Sequence, residues 1–183
     1  MQPLLRGRFG RDYRFVERTP STQRLLDDAA EGAVAVAEEQ TEGRGRLGRS
    51  WHARPGTSVL ISVLLEPPVA SERLPELTLV AGAACAEAIA TVTGLTPSIK
   101  RPNDVLVDGR KVAGILAEAR NGRVVLGIGI NVNVAENELP TETTAAAGSL
   151  SLAAGREVSR AELLAELLLR LERRYDAWAS GAR

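Results

Sequence analysis

The chain has 183 residues, the size of one domain with a buried core. Lysine plus arginine and aspartate plus glutamate both number 23, so the formal net charge is zero, which excludes a global field drawing the chain to nucleic acid or membrane and makes any anion site local. The single cysteine, Cys85 in "AGAACAEAIA", excludes an internal disulfide and reads as small apolar packing in a reducing cytoplasm.

No run reads as a membrane helix of about 18 apolar residues, and the start "MQPLLRGRFGRDYRF" lacks the apolar centre of a secretion signal. The expectation is a soluble intracellular protein. In chain order, Asp12 to Arg18 predicts a short strand, and "STQRLLDDAAEG" predicts a helix opened near Ser21 and stopped by Gly32. Ala33 to Glu39 predicts a second strand. The glycine-arginine stretch "EGRGRLGRSW" from Glu42 to Trp51 follows, and then "TSVLISVLLE", an unbroken apolar run expected to be covered on both faces. Pro67 and Pro68 end it. From about Leu74 to Thr93, Leu77, Val80, Ala81, Ala84, Cys85, Ala88, Ile89 and Val92 recur at helical spacing, with Gly94 as the stop.

Three strands are then expected: Ser98 to Lys100, Val105 to Val107 before the turn Asp108-Gly109, and Lys111 to Ala119 before the turn Asn121-Gly122. Arg123 to Val134 predicts the last long strand. Its alternation puts Val124, Leu126, Ile128, Ile130 and Val132 on one face and Val125, Gly127, Gly129, Asn131 and Asn133 on the other. The second face is bare, either for a close backbone crossing or as a floor for a flat ligand, and Asn131 favours the floor. Residues 135 to 149 read as a polar loop, and Ser159 with Glu162 opens a helix running through Leu163, Leu167, Leu171 and Tyr175 to Trp178. Strands, hairpins and helices so interspersed predict an α/β or α+β fold with a mixed sheet.

Glycines allow a backbone to approach a ligand closely, and arginine offers a charged fork of donors to phosphate or carboxylate, so "EGRGRLGRSW" suggests a loop that wraps an anion. Gly43-x-Gly45-x-x-Gly48 matches the dinucleotide fingerprint by letter, but Pro55 and Gly56 forbid the helix which that fingerprint opens. A disordered arginine-glycine RNA-binding segment is disfavoured too, because such segments are long and repeated and this is one island between two strands. Every basic residue is arginine except Lys100 and Lys111, at the two ends of "KRPNDVLVDGRK".

Three stretches, "GRGRLGRSW", "KRPNDVLVDGRKVAGILAEA" and "GIGINVN", together with "STQ" at Ser21 to Gln23 and with Gln40, resemble the catalytic domain of biotin-protein ligases over most of Val16 to Val134. The resemblance implies an α+β fold like that of class II aminoacyl-tRNA synthetases, with a mixed, largely antiparallel sheet flanked by helices. It implies ATP and biotin as substrates, with Mg2+ accompanying ATP. Biotin would be activated as biotinyl-5′-AMP and then transferred to a lysine of a biotin carboxyl carrier protein.

A carboxylate approaching a phosphate at ~4 Å meets a repulsion of about 4 kcal/mol at an effective dielectric near 20, so positive groups must be preplaced. The resemblance assigns that work to Arg44, Arg46 and Lys111, the arginines on a loop that closes over the adenylate with Gly43 and Gly45 supplying mobility. Lys111, expected on one strand face with Ala113 and Ala117, would bridge the biotin carboxylate and the α-phosphate. Ser21, Thr22, Gln23 and Gln40 resemble the positions that hold the ureido ring, and Gly114 the point where the strand backbone meets biotin. Trp51, Asn103 and Asn131 fall in the nucleotide region, Asn131 facing adenine, while Trp51 reads equally as a lid anchor or a core residue. Asp104 would hold magnesium or help the acceptor lysine lose its proton. His52 has no metal or triad partner signalled nearby, and the metal-ligand set is unknown.

Two departures stand out: Arg101 replaces the tryptophan of the family's Lys-Trp-Pro-Asn-Asp, and Gln23 replaces an asparagine. The organisation expected is one catalytic domain over 1–183, without the DNA-binding helix-turn-helix or the small C-terminal β-barrel of some relatives, and with monomer or homodimer left open. A lipoate-protein ligase or octanoyl transferase and a non-catalytic biotin-binding module are the alternatives.

Overall fold

The apolar run at Ser58–Leu65 (β3) is buried at every residue, as a strand covered on both faces must be. In this computed structural model, which describes residues 5–120, 122–141 and 145–181, β3 lies inside a seven-stranded sheet. The other strands are Tyr13–Thr19 (β1), Val34–Gln40 (β2), Ser98–Lys100 (β4), Asp104–Val107 (β5), Arg110–Arg120 (β6) and Arg123–Asn131 (β7). Their order is β1-β2-β3-β7-β6-β5-β4. Only β1 and β2 run parallel, and all other pairs are antiparallel. The fold is therefore α+β with a mixed, largely antiparallel sheet, as expected.

Helices Leu77–Thr93 (α1) and Arg160–Ala179 (α3) cover one face. Val59, Ile61 and Val63 of β3 and Leu126, Ile128 and Ile130 of β7 share a core with Ala84, Ile89, Leu164 and Leu171 of these helices. The Ser159 hydroxyl caps α3, accepting from the Glu162 N–H at 3.3 Å. Gly94 ends α1 in the left-handed conformation at φ 78. Cys85 is fully buried on α1, and burial pushes its thiol up to about 12, so it packs rather than reacts. The stretch Ser71–Thr93 is long and apolar enough to cross a membrane by length and composition, contrary to expectation. Leu77, Ala81, Ala84, Ala88 and Ile89 are nevertheless buried against α3 and the sheet, which accounts for that composition as a core helix.

The opposite face carries a smaller cluster of Leu26, Ala29, Ala33, Ala35, Leu64 and Val125 at one end and opens into a cavity at the other. The helix expected from Ser21 to Gly32 is only a 3-10 turn, Thr22–Leu26. The chain must return parallel to β1, and a second turn with Gly32 at φ +83 completes that crossover. Strand β7 ends at Asn131, three residues short of expectation, because Asn133 turns out of the sheet to exchange hydrogen bonds with Val158. The expected turn at Asn121-Gly122 falls partly outside the described residues, although β6 and β7 pair up to Arg120 and Arg123. The polar loop contains a 3-10 turn at Glu136–Glu138, and a short helix unforeseen in the sequence, Leu150–Ala154 (α2), follows.

Candidate active site

The bare face of β7 is the floor of a cavity of about 910 Å3. Its lining gathers Ser21, Thr22, Gln23, Gln40, Arg44, Gly45, Arg46, Trp51, Asn103, Asp104, Lys111, Gly114 and Asn131. Only Gly43 of the expected set stands outside the lining. It sits at the base of the arginine loop, where a Cβ would lie 2.2 Å from the Trp51 carbonyl oxygen, so glycine is required there for close backbone approach. The loop is a small flap: Trp51 N donates to Gly43 O at 2.8 Å, Gly45 N to Arg49 O at 2.7 Å, and Arg44 bridges Ser50. Leu47 sits at its tip in the left-handed region, 86% exposed.

Lys111 reaches the floor for a reason the expected alternation missed. Asp104 pairs with Gly114 and Val105 with Ala113, but Leu106 pairs with Lys111, so Val112 is an extra residue in β6. This bulge flips the alternation. Lys111 therefore shares the cavity face with Gly114, while Ala113 and Ala117 pack on the helix side, which corrects the predicted grouping. Lys111 Nζ lies 2.7 Å from Asp104 Oδ1 and 5.7 Å from the centroid of the Trp51 ring. The Asp104 contact is a close ion pair whose angle falls short of a hydrogen bond.

Trp51, readable from sequence in two ways, lies flat on the glycine floor. A Cβ at Gly129 would be 2.5 Å from its Cε2 and one at Gly114 would be 2.9 Å from its Cζ3, so both glycines are bare to admit the ring. The indole N–H is buried and meets no acceptor among the described residues. Asn131 donates its amide to Gly148 O at 3.1 Å and so ties the floor to the segment that pairs with Lys111 at Ala147. Asn103 donates to Ile115 O at 3.0 Å and meets Arg46 at 3.5 Å from the flap side.

At the other end the polar groups are uncharged. The Gln40 carbonyl accepts from Thr22 N at 2.8 Å and from Thr22 Oγ1 at 3.0 Å. Thr22 has one hydroxyl proton and spends it on Gln40, so the 2.7 Å contact with Ser62 has Ser62 as donor. Ser21 caps the turn, accepting weakly from Gln23 N at 3.4 Å. Ser62 and Glu118, which holds Arg44 at 2.9 Å, were not singled out in the sequence. A serine in the middle of an apolar strand was the available signal for the first, whereas Glu118 carries none because its partner is 74 positions away.

Among the described residues, Arg44, Arg46, Arg49, Lys100, Arg101 and Lys111 line the cavity against Asp104 as the one carboxylate, so the local charge is positive in a chain of zero net charge. Among the described residues no group of three His, Cys, Asp or Glu is placed to hold a metal ion. The arrangement suits a flat, partly uncharged ligand at one end and an anionic group at the other.

Residues 15–135 match the Biotin/lipoate A/B protein ligase family. The chain is 42% identical over 154 residues to the bifunctional ligase/repressor BirA of Bacillus subtilis, covering 81% of this chain and 47% of that protein. It is 39% identical over 175 residues to the biotin--[acetyl-CoA-carboxylase] ligase of Mycobacterium tuberculosis, covering 89% of this chain and 64% of that one. The chain thus spans about half to two thirds of the length of these relatives. The biotin protein ligase from Aquifex aeolicus, solved in complex with biotin and ATP, superposes with a TM-score of 0.84 at 34% identity over 93% of this chain and 72% of that one. The fold is accordingly that of class II aminoacyl-tRNA synthetases, as the sequence resemblance implied.

Proposed function

The chain belongs to the Biotin/lipoate A/B protein ligase family, and from that premise we propose that it activates biotin with ATP as biotinyl-5′-AMP and passes the biotinyl group to a lysine of a biotin carboxyl carrier protein domain. One observation carries the reading: a single cavity joins an uncharged hydrogen-bonding end at Thr22, Gln40 and Ser62 to a cationic end at Lys111 under an arginine flap.

In this reading the ureido ring lies at the uncharged end, where paired donors and acceptors recognise it. The valeryl carboxylate then extends along the floor to Lys111. That ammonium, held in place by Asp104, lowers the repulsion between the carboxylate oxygen and the α-phosphate during attack at phosphorus, as pyrophosphate departs. Arg44 and Arg46 add charge from the flap, and Gly45 lets the flap approach. The mixed anhydride so formed is open to water, and a closed flap delays its hydrolysis until the acceptor lysine arrives. The adenine belongs with Trp51, Asn131 and Asn103. Mg2+ would travel with the triphosphate, held by phosphate oxygens and water rather than by a protein cage. Residues of this chain act as one catalytic unit in a reducing cytoplasm. The test is isotope exchange between pyrophosphate and ATP: exchange that needs biotin is expected, and exchange with lipoate but not biotin would overturn the reading.

A further inference from the structure

Gln23, Arg44 and Glu118 come from the 3-10 turn, the flap and β6, and they meet in one hydrogen-bonded relay. Arg44 Nη2 donates to Gln23 Oε1 at 3.2 Å and to Glu118 Oε2 at 2.9 Å. Arg120 approaches the same carboxylate at 3.5 Å. A guanidinium carries only donors, so the amide atom that faces Arg44 must be the oxygen of Gln23. The amide NH2 is thereby turned the other way, over Gly127, where a Cβ would lie 3.1 Å from it. Gln23 is buried and lines the cavity, and no acceptor meets this nitrogen among the described residues.

We infer that Glu118 is a positioning residue: through Arg44 it sets the Gln23 amide with its NH2 toward the cavity, and this fixed donor selects a ligand ring that bears a carbonyl oxygen. The inference rests on the proposed biotin site. Biotin has such a carbonyl in its ureido ring, whereas the dithiolane of a lipoyl group and the chain of an octanoyl group present none. A buried donor left without an acceptor is costly, which is how a hydrogen-bonding site rejects a ligand lacking the matching group. The Arg44–Glu118 pair is itself partly exposed, with side chains 42% and 26% accessible, so it contributes little to stability alone and its effect falls on orientation.

The experiment compares biotin with its imino analogue, in which an exocyclic imino group, an N–H donor, replaces the carbonyl oxygen. Both ligands are measured by pyrophosphate exchange and by calorimetric binding in the wild type, Gln23→Glu, Glu118→Gln and the double variant. Gln23→Glu is expected to lower kcat/KM for biotin at least about tenfold and to raise the imino analogue relative to biotin, because a carboxylate accepts where the amide donated. Glu118→Gln is expected to raise KM for biotin by about three- to tenfold with kcat held, and to add nothing in the Gln23→Glu background. A biotin-to-imino ratio unchanged in folded single variants, checked by thermal melting, overturns the assignment. Calorimetry reads that ratio without chemistry, so a wild type that binds biotin selectively but shows no exchange would sink the ligase reading and leave this inference standing.

Discussion

Lys111 Nζ and Asp104 Oδ1 are 2.7 Å apart, and both side chains are largely shielded, at 18% and 10% accessibility. The carboxylate holds the ammonium in place at the floor, so Lys111 is aimed before any ligand arrives. Removing one partner strands the other. Lys111→Ala is expected to retain biotin binding within a few-fold and to lose about 10²–10³ in the rate of adenylate formation, the range for deleting one preorganised charge-stabilising group. Single-turnover measurement of acyl-adenylate against calorimetric binding separates the two. Near-normal adenylate formation would remove Lys111 from the reaction.

Arg46 presents a different case, because it makes a long 3.5 Å approach to Asn103 across the cavity mouth. Losing it costs the fold little, since exposed polar contacts of this kind are worth about 0–1 kcal/mol. Arg46→Gly is therefore expected to melt as the wild type does while releasing acyl-adenylate faster. Trapping the escaped adenylate with hydroxylamine measures this, and an unchanged release rate would count against a closing role for the flap.

How much of this was legible beforehand divides along physical lines. Periodicity carried β3, α1, α3 and the bare face of β7, since each depends on local burial that the side chains themselves report. The face of Lys111 was not legible, because the Val112 bulge arises from pairing with β5 and leaves no mark in composition. The Ser21 to Gly32 helix failed for a related reason: the crossover demanded by β1 and β2 overrode local helical spacing. Site residues with chemical signatures, such as Arg44, Lys111 and Gln40, lie around the cavity, whereas Ser62 and Glu118 emerge only through tertiary partners.

Trp51 on Gly129 predicts a spectroscopic effect. A methyl at position 129 would lie 2.5 Å from Cε2 of the ring, a distance no packing tolerates, so Gly129→Ala must tilt or expel the indole. The chain has two tryptophans, and Trp178→Phe leaves Trp51 as the sole reporter. In that background Gly129→Ala is expected to red-shift the emission and to raise KM for ATP more than for biotin, because the uncharged end of the cavity is untouched. An emission spectrum that does not move would show that the ring does not rest on this glycine in solution.

Ser62 tests the uncharged end without touching a charge. Its side chain is fully buried, and its hydroxyl donates to Thr22 Oγ1 while Thr22 donates to Gln40. Deleting the first donor loosens the second, since Thr22 is then free to rotate away from Gln40. Ser62→Ala is expected to cost about 1 kcal/mol in stability, the usual net worth of one hydrogen bond. In kinetics it should raise KM for biotin several-fold and leave kcat unchanged, the signature of uniform binding lost from ground and transition states alike. A fall in kcat with KM unmoved would instead place Ser62 among the groups that act on the reacting carboxylate, and the two-ended description of the cavity would have to be redrawn.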